Sequence, residues 1–482
     1  MKKTILIILS SGILLGQSSC DGFLDEQPIS EISADTFWKN QDDIRAGIAG
    51  MYDGLQGVVS SRYIDWGEAR SDNFTNGGTG VTSINFALNG LTANMGEMNW
   101  DGLYSTINRA NLAIKYLPEI TGSDVSETFK NHSLAQAYAV RAYCHLLGVK
   151  VWGDVPLMLE TVNDRDFRPS RTSVEQVLAA VKEDLILALD LVDVNQISVY
   201  EINVGGILAL LTEVYMWQKD YQKAIETSDE LLELNRYNLA ENPEEWKRIF
   251  TDPANSAEAI WSLFWSFEQD GSNAMAGRIG SSTNTSPFIM DYNLLEAWQN
   301  EESDFRRYLT YDTLEAVSTG AVQDIWKHYA PAADGLPVSS LPPTNQAEVR
   351  NSIYRLSDIL LLRAEAFNQL GDMEEAVAIL NLIRNRAGKS TLSQEMFANK
   401  DQLEDELLSE RQFELFAEGK RWFDLRRTGK VIPVMDPLLR QRQEERGLSV
   451  IGFGDPGLEL FPISRDALNE NPNLEQNSPY SR

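Results

Sequence analysis

The sequence predicts a mostly α-helical fold, built from helix hairpins and broken once by a loop-rich, partly β insertion. Three observations carry this reading. Apolar residues recur three or four apart over long stretches, the spacing that lines one face of a helix. Two of those stretches, from Gly205 and from Tyr354, continue across a tight turn into a second periodic run. Between them, Glu258 to Phe267 (EAIWSLFWSF) places Trp261, Leu263, Trp265 and Phe267 at a period of two, as a strand does. With 482 residues, 43% hydrophobic, and a mean hydropathy of −0.29, the chain has material for a sizeable core. That composition argues against wholesale disorder and against a many-span membrane protein.

In order, Asp35 to Leu55 is predicted as the first helix, with Phe37, Ile44, Ile48, Met51 and Leu55 on its apolar side and acids near its start, where the helix dipole favours them. Gln56 to Asn94 turns to Gly, Ser, Thr and Asn and is predicted as loop. Helical spacing returns in Met98 to Leu117, Ser133 to Trp152 and Ser173 to Val192. Gly205 to Gln218 leads through Asp220 and Tyr221 into a run containing Ala224, Ile225, Leu231 and Leu232. Tyr354 to Leu370 leads likewise into Ala376, Ile379, Leu380, Ile383 and Ala387. There Gly371 suits a left-handed helix end, and Asp372 with Glu375 has the spacing of an N-cap and its reciprocal partner. Small Ala364 and Ala376 let the two helices approach closely. These units resemble tetratricopeptide hairpins, and their irregular spacing predicts a few hairpins, near 133–235 and 354–388, inside one domain over 20–482. The loop-rich region near 256–345 is polar and rich in aromatics, the composition in which binding surfaces concentrate. A further helix is predicted from Glu404 to Arg427, ahead of a Pro- and Gly-rich tail.

Charge and chemistry narrow the function. The 42 Lys and Arg against 71 Asp and Glu give a formal charge of −29, which repels phosphate backbones and argues against nucleic acid as a partner. Cys20 and Cys144 are the only cysteines, so no disulfide framework is read, and His132, His145 and His328 stand apart from any second Cys or His at ligating spacing. Neither a metal nor a cofactor is expected. Cys144 and His145 are adjacent, and adjacent helical residues point about 100° apart, so they do not form a nucleophile and base. No nucleophile elbow, phosphate-binding glycine loop or His-Glu-x-x-His is present, and no enzyme activity is predicted. The charges at Glu410, Arg411, Glu414, Glu418, Arg421, Asp424 and Arg426 read as a salt-bridged helix surface, because interleaved arginines lower carboxylate pKa values where a general acid needs them raised.

The N-terminus carries an export signal over residues 1–19. Lys2 and Lys3 precede the apolar run Thr4 to Leu15 and then Gly16, Gln17, Ser18, Ser19 and Cys20. The run of about twelve residues is too short to span a bilayer, which needs about twenty. It resembles a bacterial lipoprotein signal, with Gln17 where leucine is usual, and that resemblance implies Cys20 as the lipid attachment site and first residue of the mature chain.

Four further segments carry a family resemblance. Tyr138 to Pro156 (YAVRAYCHLLGVKVWGDVP), Tyr354 to Gly388 (YRLSDILLLRAEAFNQLGDMEEAVAILNLIRNRAG), Leu407 to Arg427 (LLSERQFELFAEGKRWFDLRR) and Phe461 to Tyr480 resemble the SusD/RagB family, the surface lipoproteins of Bacteroidetes nutrient-uptake systems. Only Ser478 and Pro479 depart from the usual Pro-Gly of the last segment. The resemblance covers nearly the whole mature chain. It implies a single SusD-like domain with tetratricopeptide-like hairpins, lipid-anchored at the cell surface of the outer membrane. It also implies a non-catalytic role: binding an oligosaccharide and delivering it to a partner SusC-like TonB-dependent outer-membrane transporter. A peptide-binding, RagB-like member of the same system is the alternative within the fold, and a glycan-degrading enzyme the alternative outside it.

Candidate ligand contacts follow from sugar chemistry. A sugar ring packs its C–H face on an aromatic ring, while its hydroxyls need fixed polar partners. Two segments combine both: Arg62 to Phe74, with candidates Asp65, Trp66, Asp72 and Asn73, and the insertion, with Trp265, Tyr292, Trp298 and Trp326. Trp100 shares a helical face with Leu103, Tyr104 and Ile107 and is predicted to be packing.

Overall fold

The computed structural model describes residues 37–121, 124–162, 168–280, 286–322, 324–329 and 348–480; Cys20 and the signal lie outside them. The first helix, α1 (Gln41–Gly67), begins at a reciprocal cap in which Asn40 accepts from the Asp43 N–H at 3.1 Å and the Asp43 carboxylate accepts from the Asn40 N–H. It does not stop at Leu55. Ser60 and Ser61 turn their hydroxyls back onto the Gly57 carbonyl, and Val58, Val59, Ile64 and Trp66 are buried. Burial of that face outweighs a Gly- and Ser-rich composition that reads locally as loop. A second helix, Val81–Ala87, also forms inside the predicted loop.

After β1 (Phe74–Asn76), helices α2 (Asp101–Tyr116), α3 (Glu127–Trp152), α4 (Val174–Leu191), α5 (Val204–Gln218) and α6 (Tyr221–Glu233) each pack on the next. Ser173 caps α4 and Asp220 caps α6. The centre of this array is α3, buried on nearly all sides. Its buried charges are matched across helices: Arg141 Nη2 meets Asp184 at 2.6 Å, and Lys150 meets Glu213 at 2.7 Å. His145 donates from Nδ1 to the Arg141 carbonyl of its own helix at 3.0 Å and accepts the Met158 N–H beyond the helix end at Nε2, and Cys144 is a buried free cysteine. Trp100 packs edge-on against Tyr104 and Trp152, as its periodicity predicts.

The insertion supplies β2 (Ala259–Ser262) and β3 (Phe288–Met290), then α7 (Tyr292–Gln299). All four residues of β2 are buried, because both of its faces are covered. Its partner is β4 (Ser352–Arg355), so Tyr354 and Arg355 are strand where helix was predicted. The second hairpin follows as α8 (Leu356–Leu370) and α9 (Met373–Ala387), with Gly371 at φ +93° and Asp372 accepting from the Glu375 N–H at 3.1 Å. Ala364 and Ala376 are fully buried, and α8 also packs on α6, which stacks the two hairpins. The last predicted helix is two, α10 (Lys400–Glu414) and α11 (Arg421–Arg427), followed by α12 (Val431–Glu445).

The charges of α10 and α11 are not a surface. Glu410, Arg411, Glu414 and Glu418 are essentially inaccessible. Arg306 bridges Glu414 at 2.6 Å and Glu410 at 2.7 Å, while Lys327 and Arg355 both meet Glu418. Burying an unmatched charge costs several kcal/mol, so the cations arrive from β4, α9 and the insertion to meet these acids. Burial pushes the Glu414 carboxyl up, but Arg386, Arg355 and Arg306 outweigh it and hold it well below the usual range.

Candidate functional site

The two candidate segments, far apart in sequence, are brought together by strand pairing. β1 and β3 run antiparallel with Phe74 opposite Met290 and Asn76 opposite Phe288, which sets Asp72 and Asn73 beside the start of α7. The Asp291 N–H donates to the Asn73 carbonyl at 2.9 Å and extends that ladder by one rung.

The turn between α10 and α11 locks onto the end of α1. Ala417 and Gly419 take positive φ angles of +62° and +68°, which points successive N–H groups inward. The Glu68 carboxylate fills that concavity, accepting from Ala417 at 3.0 Å, Glu418 at 2.8 Å and Gly419 at 2.7 Å. It also accepts the Asn73 side-chain amide at 3.0 Å, and Asn73 in turn accepts the Gln412 amide at 2.9 Å. Burial raises the Glu68 carboxyl to about 7 against the pull of those hydrogen bonds.

The result is a groove of about 340 Å³ lined by Asp72, Asp291, Asn293, Ser409, Gln412 and Gln441 on its polar side, with Leu294, Phe413 and Leu438 among its apolar residues. That volume lies in the range of small-ligand sites. Burial works to raise the Asp72 carboxyl, but Arg421, which donates to it twice at 2.8 Å, brings it below its ordinary value. Tyr292 lies between the lining residues Asp291 and Asn293 and is 53% exposed.

The other predicted residues lie elsewhere. Asp65 and Trp66 are buried on α1: Asp65 pairs with Arg278 at 2.9 Å and burial raises its carboxyl to about 6, while the Trp66 indole donates to the Glu97 carbonyl at 2.7 Å and packs on Trp152. The recess beside Trp66 holds about 20 Å³, room for one water. Trp265 is 7% exposed, with its indole donating to the Gly271 carbonyl, although neighbouring Phe264 and Phe267 are each about 40% exposed. Trp298 is wholly buried among Tyr311, Phe413 and Phe416, and Trp326 is buried with its carbonyl taken by Lys247. Part of the predicted binding region, residues 281–285, 323 and 330–347, lies outside the described residues. Ser409, Gln412 and Gln441 escape sequence reading because they sit in helices whose periodicity speaks only of packing. Asn293, next to an exposed tyrosine, was within reach of the same polar-neighbour argument.

Among the described residues, no helix is long and apolar enough to cross a membrane. Residues 342–480 match the SusD family model, and residues 22–216 match a model described as starch-binding associating with outer membrane. SusD-like protein P38 of Formosa agariphila is 32% identical, covering 99% of this chain and 98% of the relative. A SusD-like protein of Bacteroides ovatus is 23% identical over 88% of this chain and 82% of the relative. The crystal structure of a SusD superfamily protein from Bacteroides vulgatus superposes with a TM-score of 0.78 at 21% identity, covering 92% of this chain and 100% of that one, and shares the fold.

Proposed function

Because this chain belongs to the SusD-like family, whose members are generally glycan-binding proteins of the outer membrane rather than enzymes, we propose that it captures an oligosaccharide at the cell surface in the groove beside Tyr292. The observation that carries the reading is a half-exposed tyrosine, Tyr292, set in the chain between two residues that line a groove whose polar side chains are three carboxamides, a hydroxyl and the carboxylates of Asp72 and Asp291. Tyr292 offers a face for the C–H side of a sugar ring; Asn293, Ser409, Gln412 and Gln441 offer hydrogen-bond partners for hydroxyls. Nothing in the groove is arranged as an acid and base pair: Asp72 is committed to Arg421, and Asp291 to Arg442. In this reading Cys20 carries the lipid that holds the protein to the outer membrane, and the captured glycan passes to a SusC-like TonB-dependent transporter.

The test is calorimetric titration of the chain from Asp21 onward against fructan, glucan, xylan and host-type oligosaccharides, alongside a mixed peptide digest. Saturable heat with one glycan class is the expected result. Heat with peptides alone overturns the glycan reading in favour of peptide capture, and reproducible hydrolysis of a glycan overturns the non-catalytic one.

A further inference from the structure

The hydrogen-bond polarity of the groove is fixed from behind. Both oxygens of Glu68 accept backbone N–H groups, from Ala417, Glu418 and Gly419, so as a carboxylate it turns an acceptor toward Asn73. Asn73 must therefore turn its NH₂ toward Glu68, at 3.0 Å, and its oxygen away. That oxygen takes the NH₂ of Gln412 at 2.9 Å, which leaves Gln412 Oε1 without a partner among the described residues. The opposite wall is ordered in the same sense. Gln441 donates to Glu445 at 2.9 Å, so its oxygen faces Asn293, whose NH₂ it accepts at 3.3 Å; Asn293 Oδ1 is left without a partner among the described residues. No Lys, Arg or His lines the groove, and the guanidiniums of Arg421 and Arg442 are spent on Asp72 and Asp291.

A site built this way fixes two carboxamide oxygens as acceptors for its ligand, beside the carboxylates of Asp72 and Asp291, while the second amide N–H groups and the Ser409 hydroxyl remain as neutral donors. A hydroxyl group donates to those oxygens readily, whereas a carboxylate or sulfate brings negative charge toward Asp72 and Asp291 and has no lining cation to meet. The net charge of −29 adds a long-range repulsion of the same sign. Resting on the glycan reading above, we infer that this groove selects neutral, hydroxyl-rich glycans over uronate- or sulfate-bearing ones, and that Glu68 is the positioning residue that sets this selectivity through Asn73 and Gln412.

The test pairs neutral oligosaccharides with uronate- and sulfate-bearing ones of equal length, titrated into the full mature chain at low and high salt. Neutral ligands are expected to bind at least about tenfold tighter, with the gap narrowing in high salt. Acidic ligands binding as tightly or more tightly overturn the inference while leaving glycan capture standing; silence with every glycan overturns both. Gln441→Arg, at an exposed position, should place a cation on the groove and raise acidic affinity several-fold, and no change there removes the groove from the account. Gln412→Met keeps the shape and deletes the acceptor, so neutral affinity should fall about tenfold with little change in acidic affinity. Glu68→Gln frees the relay to reverse and should narrow the neutral-to-acidic ratio; a folded variant with the wild-type ratio refutes the role given to Glu68.

Discussion

Tyr292 and Trp298 share one short helix and have opposite fates. Tyr292 is about half exposed at its first turn, while Trp298 is sealed among Tyr311, Phe413 and Phe416. Tyr292→Ala should therefore weaken glycan binding at least about tenfold and leave thermal unfolding nearly unchanged, since an exposed ring contributes little to the core. Trp298→Ala should cost about 3–5 kcal/mol of stability, read from denaturant unfolding, because it leaves a cavity. The sequence placed both residues among polar loop neighbours and offered no way to separate them. What separates them is Phe413 and Phe416, supplied by the end of α10 and the turn after it, more than a hundred positions later. Local composition reports local solvent exposure poorly whenever the covering residues come from elsewhere in the chain.

Among the elements, the hairpins were legible and the end of α1 was not. The turn at Gly371 and the cap at Asp372 act through neighbours three residues apart, so the sequence displays them. The buried far half of α1 ends where the α10–α11 turn grips Glu68, a contact across about 350 residues. That grip predicts a strong cost at Gly419, where φ is +68° and an added Cβ would stand 2.8 Å from the Tyr63 carbonyl oxygen. Gly419→Ala should destabilise by about 1–3 kcal/mol and lower the urea midpoint, whereas a midpoint equal to wild type would show that the turn is not held there. Between α8 and α10, burial, with Glu365 adding to it, raises the Glu404 carboxyl to about 8. An unfolded glutamate releases its proton near pH 4.3, so over about pH 4.5 to 8 the native state holds a proton that the unfolded chain has lost. Stability from this group is greatest below that window and declines as pH rises through it, by at most about 1.4 kcal/mol per unit. Urea unfolding of Glu404→Gln at several pH values should lack that decline; parallel wild-type and variant curves would contradict the assignment.

At the scale of the molecule, one connected core runs from Ile44 to Ala467 and joins both hairpins to the segments that carry the groove. The helical class and both hairpins were readable because helical spacing is local; the groove was not, because it is assembled from α7, α10, α12 and the turn that follows α1. The helix α1, at 27 residues and 1.5 Å per residue, is about 40 Å long and ends beside Glu68. Cys20→Ala should release the protein from the membrane fraction without altering its folding, provided the cells lack a partner transporter; persistent attachment would contradict the lipid anchor. The central claim, glycan capture beside Tyr292, is tested most directly by a crystal structure of the mature chain soaked with whichever oligosaccharide gives saturable heat. The account predicts a sugar ring stacked on Tyr292 with hydroxyls donating to Gln412 Oε1 and Asn293 Oδ1. A glycan bound at another surface, with this groove empty, would contradict it.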